Sequence, residues 1–226
     1  MNILSELEEF INEFNQNNDV DFAIDTIRIE FQKQYKKAKL DELGEWKKLQ
    51  KNSNILHKLK KRLNDDEITS VYRLDTYDVY FYNKKDTSTN RKYRNAEMII
   101  FAMKQYHKEP PPKELINKIL SILKDVSNID ICLDIPYRPN IEALSKYFKL
   151  KQYIEPKSKK PTDTYYINNP NITMIEKITI YDKGFKNSLG YIMHRIEAKI
   201  IIPNIKLLAI PLYELKEVTN IARLSK

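Results

Sequence analysis

Two stretches of this chain, I-T-I-Y-D-K-G at residues 178–184 and H-R-I-E-A-K-I at residues 194–200, carry side chains suited to phosphate chemistry. In the first, Ile178 and Ile180 alternate with Thr179 and Tyr181, so a strand would aim the tyrosine hydroxyl away from its apolar face. In the second, Arg195, Glu197 and Lys199 share one face, and His194, Ile196 and Ala198 the other. Pairing the two as antiparallel neighbours would gather a tyrosine, a carboxylate and several cations, from which a nucleophile and a metal site can be built. A third stretch, residues 128–135, alternates strictly: Ile129, Ile131, Leu133 and Ile135 on the core side, Asp130, Cys132 and Asp134 on the other. Carboxylates fixed on a rigid sheet face repel unless neutralised. A divalent cation would relieve Asp130, Asp134 and Glu197, and oxygen ligands favour Mg²⁺ or Mn²⁺ over zinc. The alternative is that these acids form salt bridges with Arg195, Lys177 or Lys199.

The elements that must position these residues follow from apolar spacing. Leu7, Phe10, Ile11 and Phe14 make residues 5–16 a helix, opened by a capping box at Ser5 and Glu8. Ile24, Ile27 and Ile29 make residues 21–31 a strand. Residues 32–63 read as helical, broken near 52–54. Residues 68–83 read as a hairpin rich in tyrosine (Tyr77, Tyr80, Tyr82), which could stack on unpaired bases or serve only as strand formers. Residues 96–106 lean to strand. The prolines at 110–112 start a helix whose apolar stripe runs from Leu115 to Val126, through Ile119 and Leu123. Residues 140–149 form a short helix, 157–161 a basic loop, 164–168 a strand, and 207–224 a closing helix. The expectation is an α+β chain: an antiparallel β-sheet catalytic core with helices on one face, and a basic helical insertion near the N-terminus at residues 32–66 of a single domain, 1–226.

Charge points to the partner. The formal net charge is +8, and residues 33–62 hold eleven Lys or Arg against three Asp or Glu, so this segment accounts for the whole excess. A localised basic stretch suits a polyanion, nucleic acid first, with Lys47, Lys48, Lys51, Lys58, Lys60, Lys61 and Arg62 as contacts and Lys177 beside the chemistry. The lone Cys132 excludes an internal disulfide and a multi-cysteine zinc site. No apolar run is long enough for a membrane span, and no signal peptide is apparent, so a cytoplasmic setting is expected.

In order and spacing, I-D-I-C-L-D-I, T-Y-Y-I, I-T-I-Y-D-K-G and H-R-I-E resemble the rolling-circle replication initiators of the Rep-trans type, found on small plasmids and some phages. The resemblance covers about residues 126–203, with a weaker match at I-D-T-I-R, residues 24–28. It implies an enzyme that nicks and rejoins origin DNA, single-stranded or supercoiled. Tyr181 would be the nucleophile, Asp134 and Glu197 metal ligands with Asp130 a third, and Lys183 and Arg195 the neutralisers of phosphate charge. Attack would leave a 5′-phosphotyrosine and a free 3′-OH. A host helicase and a homodimer are the partners it suggests. Many nicking enzymes carry a His-hydrophobic-His metal motif, and this chain does not, so a metal site here would be mainly carboxylate.

Two other readings fit part of the pattern. Asp182 with Glu197-Ala198-Lys199 resembles the D…E-x-K core of hydrolytic, Mg²⁺-dependent nucleases, which form no covalent adduct. A non-catalytic DNA-binding protein would need only the basic segment and the tyrosine-rich hairpin. Within the first reading, Tyr165 and Tyr166 are rival nucleophiles.

Overall fold

The computed structural model describes residues 2–32, 39–63, 68–74, 77–84, 95–106, 109–202 and 204–223. Among these the protein is α+β, with antiparallel strand pairing and flanking helices. It divides into two compact units: Met1–Glu6 with Thr26–Ser127, and Leu7–Asp25 with Asn128–Lys226.

The first unit holds most of β1 (Ala23–Gln32), then β2 (Trp46–Lys48), α2 (Asn54–Leu63), β3 (Ile68–Leu74), β4 (Val79–Lys84), β5 (Asn95–Ile100) and α3 (Lys113–Leu123). Its strands lie in the order β2-β3-β4-β5-β1. The expected hairpin is present as β3 and β4, paired Val71 to Tyr82 and Tyr72 to Phe81. The expected helical run differs. Of residues 32–63, 33–38 lie outside the described residues, 39–41 and α2 are helical, and Trp46–Lys48 is a strand paired with β3. The indole decides this: it packs edge-on against Phe81 at 4.8 Å and donates to the Leu40 carbonyl at 2.9 Å. A short apolar stripe cannot by itself separate helix from strand. The tyrosines do not form a stacking face either, since Tyr80 and Tyr82 are buried with Leu56 and Leu59 of α2 in the unit's core. Helix α3 starts after Pro112, whose fixed φ suits that position, and ends at Lys124, a left-handed residue whose N–H reaches the Leu120 carbonyl at 2.7 Å.

The second unit contains most of α1 (Ile3–Asn18), then β6 (Asn128–Ile135), α4 (Ile141–Ser145), β7 (Lys151–Ile154), β8 (Pro161–Ile172), β9 (Ile175–Asp182), α5 (Lys183–Asn187), β10 (His194–Ile201) and α6 (Ala209–Arg223). The strands lie in the order β6-β10-β9-β8-β7, every pair antiparallel. Helix α1 begins earlier than a Ser5 cap would allow. Asn2 takes that role, its Oδ1 accepting from Ser5 N at 3.3 Å. Leu4, Leu7, Ile11 and Phe14 form the buried stripe. Asn15 then clamps the turn into β1 by bonding both the N–H and the carbonyl of Phe22. Tyr213 of α6 packs edge-on against Phe14 at 4.8 Å, and Lys216 reaches Asn18 at 3.1 Å. No helix among the described residues is long and apolar enough to cross a membrane.

Candidate active site

Strand register assembles the site. Strand β10 lies between β6 and β9, with Arg195 opposite both Asp134 and Tyr181, Glu197 opposite Cys132 and Thr179, and Lys199 opposite Asp130 and Lys177. Strand β8 adds Thr164 opposite Tyr181 and Tyr166 opposite Thr179. Directly opposed residues share a face. One sheet face therefore carries Tyr181, Arg195, Asp134, Glu197 and Asp130, the juxtaposition expected from alternation alone.

This polar face is largely closed to solvent. Asp130 and Cys132 are buried, Arg195 is 0% exposed and Tyr181 only 7%. Arg195, Asp134, Tyr181 and Glu197 are tied by hydrogen bonds. The Arg195 guanidinium forks onto Asp134, Nε to Oδ1 at 2.6 Å and Nη2 to Oδ2 at 2.7 Å, while Nη1 donates to Asp25 Oδ1 at 2.7 Å. Burial pulls the Arg195 pKa down, but the Asp134 hydrogen bonds and the Cys132, Tyr181 and Asp25 charges together outweigh it, so the guanidinium is held charged. Bidentate pairing of this kind fixes geometry as well as charge. Arg195 on β10 thus ties together Asp134 of β6 and Asp25 of β1. The salt-bridge alternative for Asp134 is the one the structure realises, whereas Lys199 pairs with Glu176 at 2.8 Å.

On the same face, the Tyr181 hydroxyl donates to Glu197 Oε2 at 3.2 Å. Burial raises the Tyr181 pKa well above its usual 10.0, and the Glu197 charge adds to this, so the resting group is a neutral phenol. Two lysines of α5 stand near its ring: Lys186 Nζ is 4.4 Å and Lys183 Nζ 6.0 Å from the centroid. Burial, and then Arg195, lowers the pKa of Lys183. The placement of α5 depends on Gly184, where an added Cβ would lie 2.4 Å from the Tyr191 carbonyl oxygen. Asp182 caps the helix, accepting from Phe185 N at 2.7 Å. Lys177 is half-buried over the Tyr166 ring at 4.4 Å, its pKa lowered by burial.

Asp130, Asp134 and Glu197 are not drawn into a ligand set. Asp134 spends both oxygens on Arg195, Glu197 accepts from Tyr181, and Cys132 lies between the two aspartates. Among the described residues the group with metal-ligand spacing is a different one, Asp163, Asp182 and His194. The D…E-x-K arrangement is not assembled, because Asp182, opposite His194, belongs to the sheet face away from Glu197. Of the rival nucleophiles, Tyr165 accepts from Gln152 at 3.1 Å on that other face. Tyr166 is on the Tyr181 face, edge-on to Tyr153 at 6.3 Å. Of the basic residues, Lys47, Lys48, Lys51 and Lys58 are exposed and Lys60 is half-buried, while the side chains of Lys61 and Arg62 lie outside the described residues.

Sequence reasoning gave no role to Asp25 or Lys186. Asp25 stood in the weak I-D-T-I-R match. Lys186 lies three residues past Lys183, the spacing that puts two side chains on one helix face.

No family model matches the chain, and no curated protein matches it. Among solved structures, a rolling circle replication initiator protein from Geobacillus stearothermophilus is similar, with a TM-score of 0.43 and 11% sequence identity, covering 88% of this chain and 79% of that one. A match this distant speaks neither to residues nor to chemistry.

Proposed function

We propose that this chain is a replication initiator that nicks one strand of origin DNA with Tyr181. The observation that carries the reading is the hydrogen bond from the Tyr181 hydroxyl to Glu197, on a strand braced by the buried Arg195–Asp134–Asp25 cluster. A buried phenol is a poor nucleophile until a base takes its proton. Glu197 stands where that base is needed. As the phenolic oxygen bonds to the scissile phosphorus, the phosphorus–O3′ bond breaks, the phenolic proton passes to Glu197 and the leaving 3′ oxygen takes a proton from solvent. The products are a 5′-phosphotyrosine and a free 3′-OH. Lys183 and Lys186 supply positive charge where the phenolate and the phosphorane charge develop. Arg195 is a positioning residue: it holds the strands of Tyr181 and Asp134 in register and does not reach substrate.

A divalent cation, Mg²⁺ or Mn²⁺, belongs to this proposal through the sequence resemblance. Asp130, Asp134 and Glu197 do not fit it as a set, since Asp134 is bonded to Arg195 and Glu197 to Tyr181. The exposed lysines of residues 47–58 suit the DNA backbone.

The test is incubation with supercoiled DNA carrying the source replicon's origin and Mn²⁺ or Mg²⁺, read on a denaturing gel. Wild type should yield nicked circles and a protein-linked strand, and Tyr181→Phe neither. Equal cleavage by both, without a linked band, would make the chain a hydrolytic nuclease. Binding without cleavage would make it a DNA-binding protein only.

A further inference from the structure

The rank next to Tyr181, on the other face of the sheet, holds a second constellation that the nicking reading does not use. Thr164 pairs with Tyr181, so Asp163 falls opposite Asp182, and Asp182 pairs with His194. One ligand atom from each of Asp163, Asp182 and His194 lies within 4.8 Å of the others. His194 is 5% exposed. Its Nε2 stands 3.4 Å from Asp163 Oδ2, at the long limit of a hydrogen bond, and its buried Nδ1 has no hydrogen-bond partner. A buried imidazole with one weak contact and one orphaned nitrogen is costly to keep unless another ligand completes it. The two carboxylates are only partly neutralised from outside. Arg138, an exposed side chain at the rim, donates to Asp163 Oδ1 at 2.9 Å, and Asp182 Oδ1 accepts from Phe185 N.

We propose that Asp163, Asp182 and His194 form a binding site for one divalent transition-metal ion. An imidazole with two carboxylates suits Mn²⁺, Co²⁺ or Zn²⁺ better than Mg²⁺, which prefers oxygen ligands throughout. Three protein ligands leave coordination positions for water. Asp182 is also the cap of α5, so an ion bound there ties the helix carrying Lys183 and Lys186 to strands β8 and β10. The site is independent of whether Tyr181 is a nucleophile, because it lies on the opposite face and its occupancy is measured without DNA.

The experiment is calorimetric titration of the full chain with Mn²⁺, and separately Co²⁺, in the absence of DNA, with Co²⁺ absorption as a second readout. Wild type should bind one ion, more tightly than Mg²⁺, and gain thermal stability from it. Asp163→Asn, a half-buried isosteric change, and His194→Gln should each weaken binding at least tenfold and lose the stabilisation. Glu197→Gln should bind as wild type does, and Arg138→Ala as well or better, since a competing cation is gone. Absence of Mn²⁺ and Co²⁺ binding overturns the proposal. So does binding that Asp163→Asn leaves unchanged, or that Glu197→Gln abolishes. Because Asp163→Asn is not expected to disturb the fold, it keeps the test decisive if His194→Gln proves unstable.

Discussion

At the scale of residues, Arg195 is the group on which the site stands. Its guanidinium is fully buried between Asp134 and Asp25, and removing it leaves two carboxylates buried without their cation. Breaking a buried pair from one side costs about 3–5 kcal/mol. Arg195→Ala should lose at least that in urea denaturation. Arg195→Lys should lose less but still measurably, because an ammonium cannot fork across a carboxylate. Alkaline pH gives a second prediction. Burial raises the Cys132 pKa above its usual 9.0 and the Tyr181 pKa above 10.0, so in both cases the folded state holds its proton longer than the unfolded chain. The stability these groups contribute is complete below those values and is lost as pH climbs through the raised ones. The thermal midpoint should therefore fall with pH above about 9. Cys132→Ala should flatten the onset and Tyr181→Phe the part above pH 10.0.

At the scale of elements, α5 links the fold to the chemistry. Five residues long, it holds its place by the Asp182 cap and by the close approach of Gly184 to the Tyr191 carbonyl. Gly184→Ala should push the helix off its seat, costing about 1–3 kcal/mol, as overpacking does, and should lower adduct yield by more than the reduced stability explains. Alternation along residues 128–135, 178–182 and 194–200 told which side chains share a face, and that part of the site was legible. What covers the face was not: a period of two says nothing about whether Asp130 and Cys132 meet water or packed side chains. Asp25 was invisible for a related reason. It lies 170 positions from Arg195, and no local pattern sets the proximity of elements so far apart in the chain. The Asp163–Asp182–His194 group was missed because its members come from three different strands, and register, not spacing, brings them together.

At the scale of the whole molecule, the chain's excess charge lies in residues 33–62, and the described lysines at 47, 48, 51 and 58 are exposed. Replacing these four with glutamine should weaken DNA binding uniformly across sequences. It should also flatten the logarithmic salt dependence, by roughly one in slope for each phosphate that a lysine no longer neutralises, as fluorescence anisotropy across a salt series would read. Nicking on saturating DNA should survive, since the tyrosine cluster belongs to the other unit. The central claim is the identity of the nucleophile. The most direct test is mass spectrometry of tryptic peptides from wild-type protein trapped on an origin oligonucleotide. The account predicts a nucleotide adduct on the peptide 178–183, I-T-I-Y-D-K, and on no other. An adduct on the peptide carrying Tyr165 and Tyr166, or cleavage of the oligonucleotide with no adduct on any peptide, would contradict it.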